Sequence, residues 1–94
     1  MKMLFVLFPE VRANVLRLLF SESRRELHLR ELARQCRLAF RTVQVEVRKL
    51  TAAGLLSSRR ERNRRYLRAN TTSPHFADLQ RLVVKMAAPP RKAK

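Results

Sequence analysis

Residues 29–56 read LRELARQCRLAFRTVQVEVRKLTAAGLL. In the first part Leu29, Leu32, Ala33 and Cys36 recur at three- and four-residue steps, which gathers them on one side of a helix and leaves Arg30, Glu31, Arg34 and Gln35 in water. In the second part Phe40, Val43, Val47 and Leu50 form a stripe by the same spacing, and Arg41, Gln44, Val45 and Arg48 point the opposite way. Only a tight break separates the two helices. Gly54 ends the second, because a glycine just past the last turn accepts a left-handed backbone that other residues resist. A second helix with one apolar side and an outer side of Arg, Thr and Gln has the shape of an element made for insertion into a partner.

Upstream, Pro9 is a favoured first helical residue, and Val11, Val15, Leu18 and Leu19 mark a helix ending near Phe20, with Glu10 at the end where negative charge is stabilising. Residues 1–8 are apolar without clear period, which fits either a strand-like arm or the first turn of a longer helix. Ser21 to Glu26 is a polar loop, and Leu27 to Leu29 suits a short strand. Downstream, Leu55 to Arg60 and Arg65 to Ala69 read as the strands of a hairpin with Glu61, Arg62, Asn63 and Arg64 as its tip. Asn63 is expected to take the positive backbone angle that hairpin turns require, and Tyr66 and Leu67 supply strand-favouring bulk. Ser73 and Pro74 open a last helix with Phe76, Leu79, Leu82, Val83 and Met86 on one side. Pro89 and Pro90 stop it, so the domain is expected over 1–88, with 89–94 a disordered basic tail.

The central stretch resembles the helix-turn-helix of small prokaryotic winged-helix transcriptional regulators of the ArsR-like and MarR-like kind. The resemblance rests on the L-R-E-L-A opening at Leu29 to Ala33, the T-V-Q at Thr42 to Gln44 and the A-G-L-L ending at Ala53 to Leu56. As element order it extends over residues 4–86. It implies a mainly α fold with a small β-hairpin wing, in the order α-β-α-α-β-β-α, and a cytoplasmic transcription factor that binds DNA as a homodimer. Two positions depart from the family pattern. The turn commonly holds a glycine and a Ser or Thr cap, whereas this chain has Arg37 and Ala39, and a missing cap costs about 1 kcal/mol.

The chain has 94 residues, enough for one core but not for a cleft between catalytic lobes. Its 22 Lys plus Arg against 7 Asp plus Glu give +15, a balance that implies a polyanionic partner. Nucleic acid is the first candidate and a membrane surface the second. The plainer alternative is charge that merely keeps the protein soluble. One cysteine forbids an intramolecular disulfide and fits a reducing cytoplasm. Met3 to Phe8 is too short for a signal-peptide core or a bilayer span, so a soluble, cytoplasmic protein is expected.

The second helix of the pair is the expected reader, about residues 40–53. Arg41, Thr42, Gln44, Val45 and Arg48 would face a major groove, where Arg pairs with guanine, Gln with adenine and Val45 meets a thymine methyl. Arg30 joins them from the first helix. The wing, about residues 59–68, is the expected phosphate clamp, through Arg59, Arg60, Arg62, Asn63, Arg64 and Arg65, with Arg68 nearby. Alternatively these residues are a solvated helix face and an edge kept basic against aggregation. Phe76, Leu79, Val83 and Met86 are the expected dimer face.

Cys36 reads as a small core hydrophobe, and His28 and His75 are too far apart in sequence to suggest a metal site. No cofactor is implied, and no effector pocket is apparent. The acids are scattered, no Ser or Cys has an evident His partner, and one glycine cannot build a phosphate-cradling loop. A sequence-specific DNA-binding regulator is therefore expected, and not an enzyme. Its rivals are an RNA-binding or protein-docking winged-helix adaptor, or a structural protein whose charge is incidental.

Overall fold

The computed structural model describes residues 3–87, so the tail expected at 89–94 lies outside the described residues. Within them the chain forms five helices and one three-stranded antiparallel sheet. The N-terminal apolar run is neither a strand nor the start of a longer helix. It is a separate short helix, Met3–Leu7 (α1), and the second helix, Glu10–Phe20 (α2), follows after a break. Pro9 causes the break. A residue before proline is pushed out of the helical region, and Pro9 itself is extended (φ −53°, ψ 149°), preceding α2 rather than serving as its first residue. The element order therefore gains a helix that the expected α-β-α-α-β-β-α lacked.

The central helix is α2. It buries Ala13, Val15, Leu16, Leu18, Leu19 and Phe20, more of its circumference than a single stripe. Helices on several sides account for this, since α1 and α2 are joined in the core by the helix pair Leu29–Cys36 (α3) and Phe40–Ala52 (α4) and by the last helix, Phe76–Ala87 (α5). Leu29, Leu32, Ala33 and Cys36 of α3 and Val43, Val47 and Leu50 of α4 are buried, as their spacing predicts.

The α3–α4 turn does without both missing residues. Arg37 takes the left-handed conformation (φ 59°, ψ 37°) that glycine would adopt, and its N–H closes on the carbonyls of Ala33 and Arg34. For a residue with a Cβ this conformation costs on the order of 1 kcal/mol. Ala39 precedes α4 with no side-chain cap. His28 supplies the cap of α3, its Nδ1 accepting the Glu31 N–H at 3.4 Å. Gly54 (φ 81°) ends the α4 region, and the Leu55 N–H returns to the Leu50 carbonyl at 3.0 Å.

The sheet has the order β1-β3-β2, from Leu27–His28 (β1), Leu56–Glu61 (β2) and Arg64–Ala69 (β3). Leu27 stands opposite Leu67, and Leu56 opposite Ala69. β2 ends one residue later and β3 begins one residue earlier than the sequence suggests, because Glu61 pairs with Arg64. The tip is thus Arg62 and Asn63 alone. The positive angle falls on Arg62 (φ 58°) and not on Asn63, since the register that buries Leu56, Leu67 and Ala69 makes Arg62 the first residue of a two-residue loop.

Helix α5 starts at Phe76, three residues later than Ser73. The Phe76 N–H bonds the Ser73 carbonyl in a turn, and the first regular helical bond runs from Leu79 N–H to the His75 carbonyl at 2.9 Å. The side of α5 expected to form a dimer face folds onto the protomer's own core instead. Val83 is fully buried, Phe76, Leu79 and Met86 pack against the core, and Phe76 lies 5.8 Å from the Phe20 ring. The exposed large apolar side chains of this region are Leu82 and Val84 on α5 and Met3, Val6 and Leu7 on α1. No helix among the described residues is long and apolar enough to cross a membrane.

Candidate nucleic-acid interface

Side chains alternate between the faces of a strand, and residues directly opposite across a ladder share a face. Arg60 stands opposite Arg65, on the same face as the buried Leu56, Leu67 and Ala69, but nearer the tip where the core has ended. Past the core that face opens onto the starts of α3 and α4. The result is a cleft of about 310 Å³ lined by His28, Leu29, Arg30, Phe40, Gln44, Arg60, Asn63, Arg64 and Arg65. Four arginines line it, with no carboxylate in the lining. The Arg30 guanidinium lies over the Phe40 ring, 4.9 Å from its centroid. Such a contact holds the cation's position while leaving its N–H groups available.

Of the residues expected on the outer side of α4, Gln44 is half-buried in this cleft, whereas Arg41, Thr42, Val45 and Arg48 are exposed outside it. Together they give α4 a continuous outward surface with two cations, a hydroxyl, an amide and an apolar Val45 that is 45% exposed. One residue on the inner side is polar. Glu46 is 4% exposed among Val43, Val47 and Leu50, and its Oε2 accepts a hydrogen bond from Arg12 Nε of α2 at 2.6 Å. Glu46 stands three residues after Val43 and four before Leu50, a spacing that places this acid within the apolar stripe.

The opposite face of the hairpin is chemically different. Arg59 Nε and Nη2 each donate to a Glu26 oxygen at 2.8 Å, Nη1 donates to Glu61 at 2.7 Å, and the guanidinium lies 4.6 Å above the Tyr66 ring. Because β3 lies between β1 and β2, the Arg59 side chain crosses Tyr66 to reach Glu26, the residue just before β1. The hydrogen bond from Arg59 is the main reason the Glu26 carboxyl is held below its ordinary value, and the same two carboxylates raise the Arg59 guanidinium further. Arg59 is thus engaged within the protein. Arg60, Arg64 and Arg65 border the cleft, and Arg62 projects from the tip. The expected six-residue clamp therefore separates into Arg59, held on the outer face, Arg62 at the tip, and Arg60, Asn63, Arg64 and Arg65 at the cleft.

Elsewhere on α3, Glu31 bonds Arg34 and Gln35, chiefly Arg34, and is lowered for that reason. These groups belong to an exposed helix face. Burial pushes the Cys36 thiol up to about 11, against a smaller opposing effect of the Arg17 charge, so the thiol is protonated at neutral pH. The described residues hold no group of three or more His, Cys, Asp or Glu placed to share a metal ion. Compared with protein-family models, curated proteins and solved structures, the chain matches none.

Proposed function

We propose that the chain is a winged helix-turn-helix protein that binds duplex DNA and regulates transcription, with α4 as recognition helix and β2–β3 as the wing. The observation that carries this reading is the carboxylate-free cleft between α4 and the hairpin, which Arg30, Arg60, Arg64 and Arg65 line together with Gln44. Guanidinium groups clamp phosphates and release counterions. An amide beside them suits a base edge, since Gln reads adenine through two hydrogen bonds. The exposed Arg41, Thr42, Val45 and Arg48 extend the same surface along α4. Phosphate contacts would fix the register of the protein on the duplex, and α4 would supply sequence choice.

The protein is further proposed to act as a homodimer, as two half-sites require. The face suited to this is α1, whose Met3, Val6 and Leu7 are each more than half exposed at helical spacing. Residues 3–9 carry no charge in a chain of net +15, so copies meet there with the least repulsion. Val6→Glu with Leu7→Glu is expected to give a monomer by sedimentation at tens of micromolar. A wild-type monomer at that concentration would remove the dimer.

The decisive experiment selects bound fragments from random duplex DNA, with hairpin RNA and heparin as competitors. Enrichment of one duplex motif is expected. Equal capture of all three polyanions would reduce the protein to a general polyanion binder, and preferential capture of RNA would redirect the reading.

A further inference from the structure

We infer that the Arg12–Glu46 pair is a positioning device that fixes the rotation of α4 about its axis, and so decides which side chains α4 presents to a base edge. This rests on the proposed role of α4 in reading DNA. The pair lies at the middle of the helix. Glu46 is enclosed between Val43, Val47 and Leu50, and Arg12 Nε reaches it from α2 at 2.6 Å, with the Arg12 side chain one-third exposed. Among the described residues no other side-chain hydrogen bond joins α4 to another element. Ala39 gives α4 no side-chain cap, and the buried Thr51 hydroxyl has no partner.

Apolar contacts through Val43, Val47 and Leu50 set how close α4 lies to the core, but they are non-directional. A helix with its side chains has a radius near 6 Å, so a rotation of about 20° moves a side-chain tip by roughly 2 Å. That distance is ample to break a paired hydrogen bond to a base, whose tolerance is a few tenths of an ångström. A charge-assisted bond at mid-helix opposes that rotation within one turn of Gln44, Val45 and Arg48, and within about a turn and a half of Arg41. Stability alone is a poor reason for a carboxylate in this place, since apolar residues of similar volume commonly replace a buried ion pair without loss.

The test uses Glu46→Leu alone and with Arg12→Met, and Glu46→Gln as the variant that keeps an acceptor for Arg12. Melting curves, affinities for a selected duplex and its scrambled version, and methyl NMR spectra of Val43, Val45 and Val47 without nucleic acid are measured. The apolar variants are expected to melt no lower than wild type and to bind the scrambled duplex within threefold of it. Their preference for the selected duplex is expected to fall at least tenfold, and their α4 methyl groups to show more than one set of signals. Glu46→Gln is expected to recover most of the preference. A folded apolar variant with full preference and one set of signals would overturn the inference. Failure of both apolar variants to fold would also overturn it, because the pair would then hold the domain together rather than aim one helix. If wild type shows no preference for any duplex, the proposed function falls. The methyl spectra then decide the positioning role, with multiple signals supporting it and a single wild-type set overturning it.

Discussion

On the inner face of the hairpin Arg60 and Arg65 stand opposite each other and share a cleft with Arg30 and Arg64 that has no carboxylate in its lining. On the outer face Arg59, one residue away from Arg60, is held by Glu26 and Glu61 above Tyr66. The strand period of two sends Arg59 and Arg60 to opposite sides, so these two neighbours separate into an occupied and an available cation. Arg64, opposite Glu61 on the Arg59 side of the ladder, lines the cleft from beside the tip. Arginine density therefore overstates the positive charge left without an internal partner. The contrast is sharpest in binding. Arg60→Ala with Arg65→Ala is expected to weaken every duplex alike, by about 30-fold near physiological salt and with a salt slope flatter by about two, if each residue meets one phosphate. Arg59→Ala is expected to leave both quantities unchanged. Salt titrations of the two variants decide between separated faces and one undivided patch.

A smaller effect should come from the residue between those cations. Gln44→Ala is expected to lower affinity for the preferred duplex roughly tenfold, within the ~1 to 3 kcal/mol that a paired base contact supplies, while scrambled duplexes are bound as before. Competition binding measures the ratio. Equal loss on both duplexes would make the cleft a phosphate site only.

The parts of this arrangement differ in how openly the sequence carried them. The helices α2, α3 and α4 follow from apolar periodicity, which reports an environment with a wet side and a dry side. Residues 3–8 gave no period because Leu4, Phe5 and Phe8 face the core while Met3, Val6 and Leu7 face outward, so that apolar residues occupy both sides. In α5 the stripe was legible but its cover was not: periodicity says which side is apolar, not whether α1 and α2 or a second protomer lies against it. Glu46 could have been flagged as an acid inside a stripe, yet its partner Arg12 is 34 residues distant and needs the packing of α2 on α4. Likewise the alternation of Arg59 and Arg60 was readable, but pairing Arg59 with Glu26 needs the strand order β1-β3-β2.

Arg62 lies at the edge between the two faces and combines a free cation with a positive φ. Arg62→Gly removes both. It is expected to stabilise the fold by about 0.5 to 1 kcal/mol, since glycine accepts this conformation at the expense of some chain entropy. For a domain of this size that raises Tm by roughly 2 to 8 °C. The salt slope should flatten by no more than about one. A lower Tm would mean that the Arg62 side chain contributes more to the turn than its conformation costs.

The smallest effect concerns the occupied face and its response to pH. Glu26 has its carboxyl lowered below 4.5 in the folded protein, chiefly by the hydrogen bond from Arg59. A depressed carboxyl contributes stability that is complete above the unfolded value and is lost as pH falls through the folded one. The Tm difference between wild type and Glu26→Gln is therefore expected to be constant above pH 5 and to shrink below 4.5 as the wild-type carboxyl protonates. It should stay small throughout, because the pair is exposed to solvent and screened. In Arg59→Ala the same Glu26→Gln change should produce almost no pH-dependent difference. At neutral pH, Glu26→Gln leaves Arg59 with Glu61 alone, and the salt slope of duplex binding should rise by less than one. A rise as large as the loss from Arg60→Ala with Arg65→Ala would mean that nucleic acid reaches the outer face, and that the two faces differ in their internal partners but not in their access to phosphate.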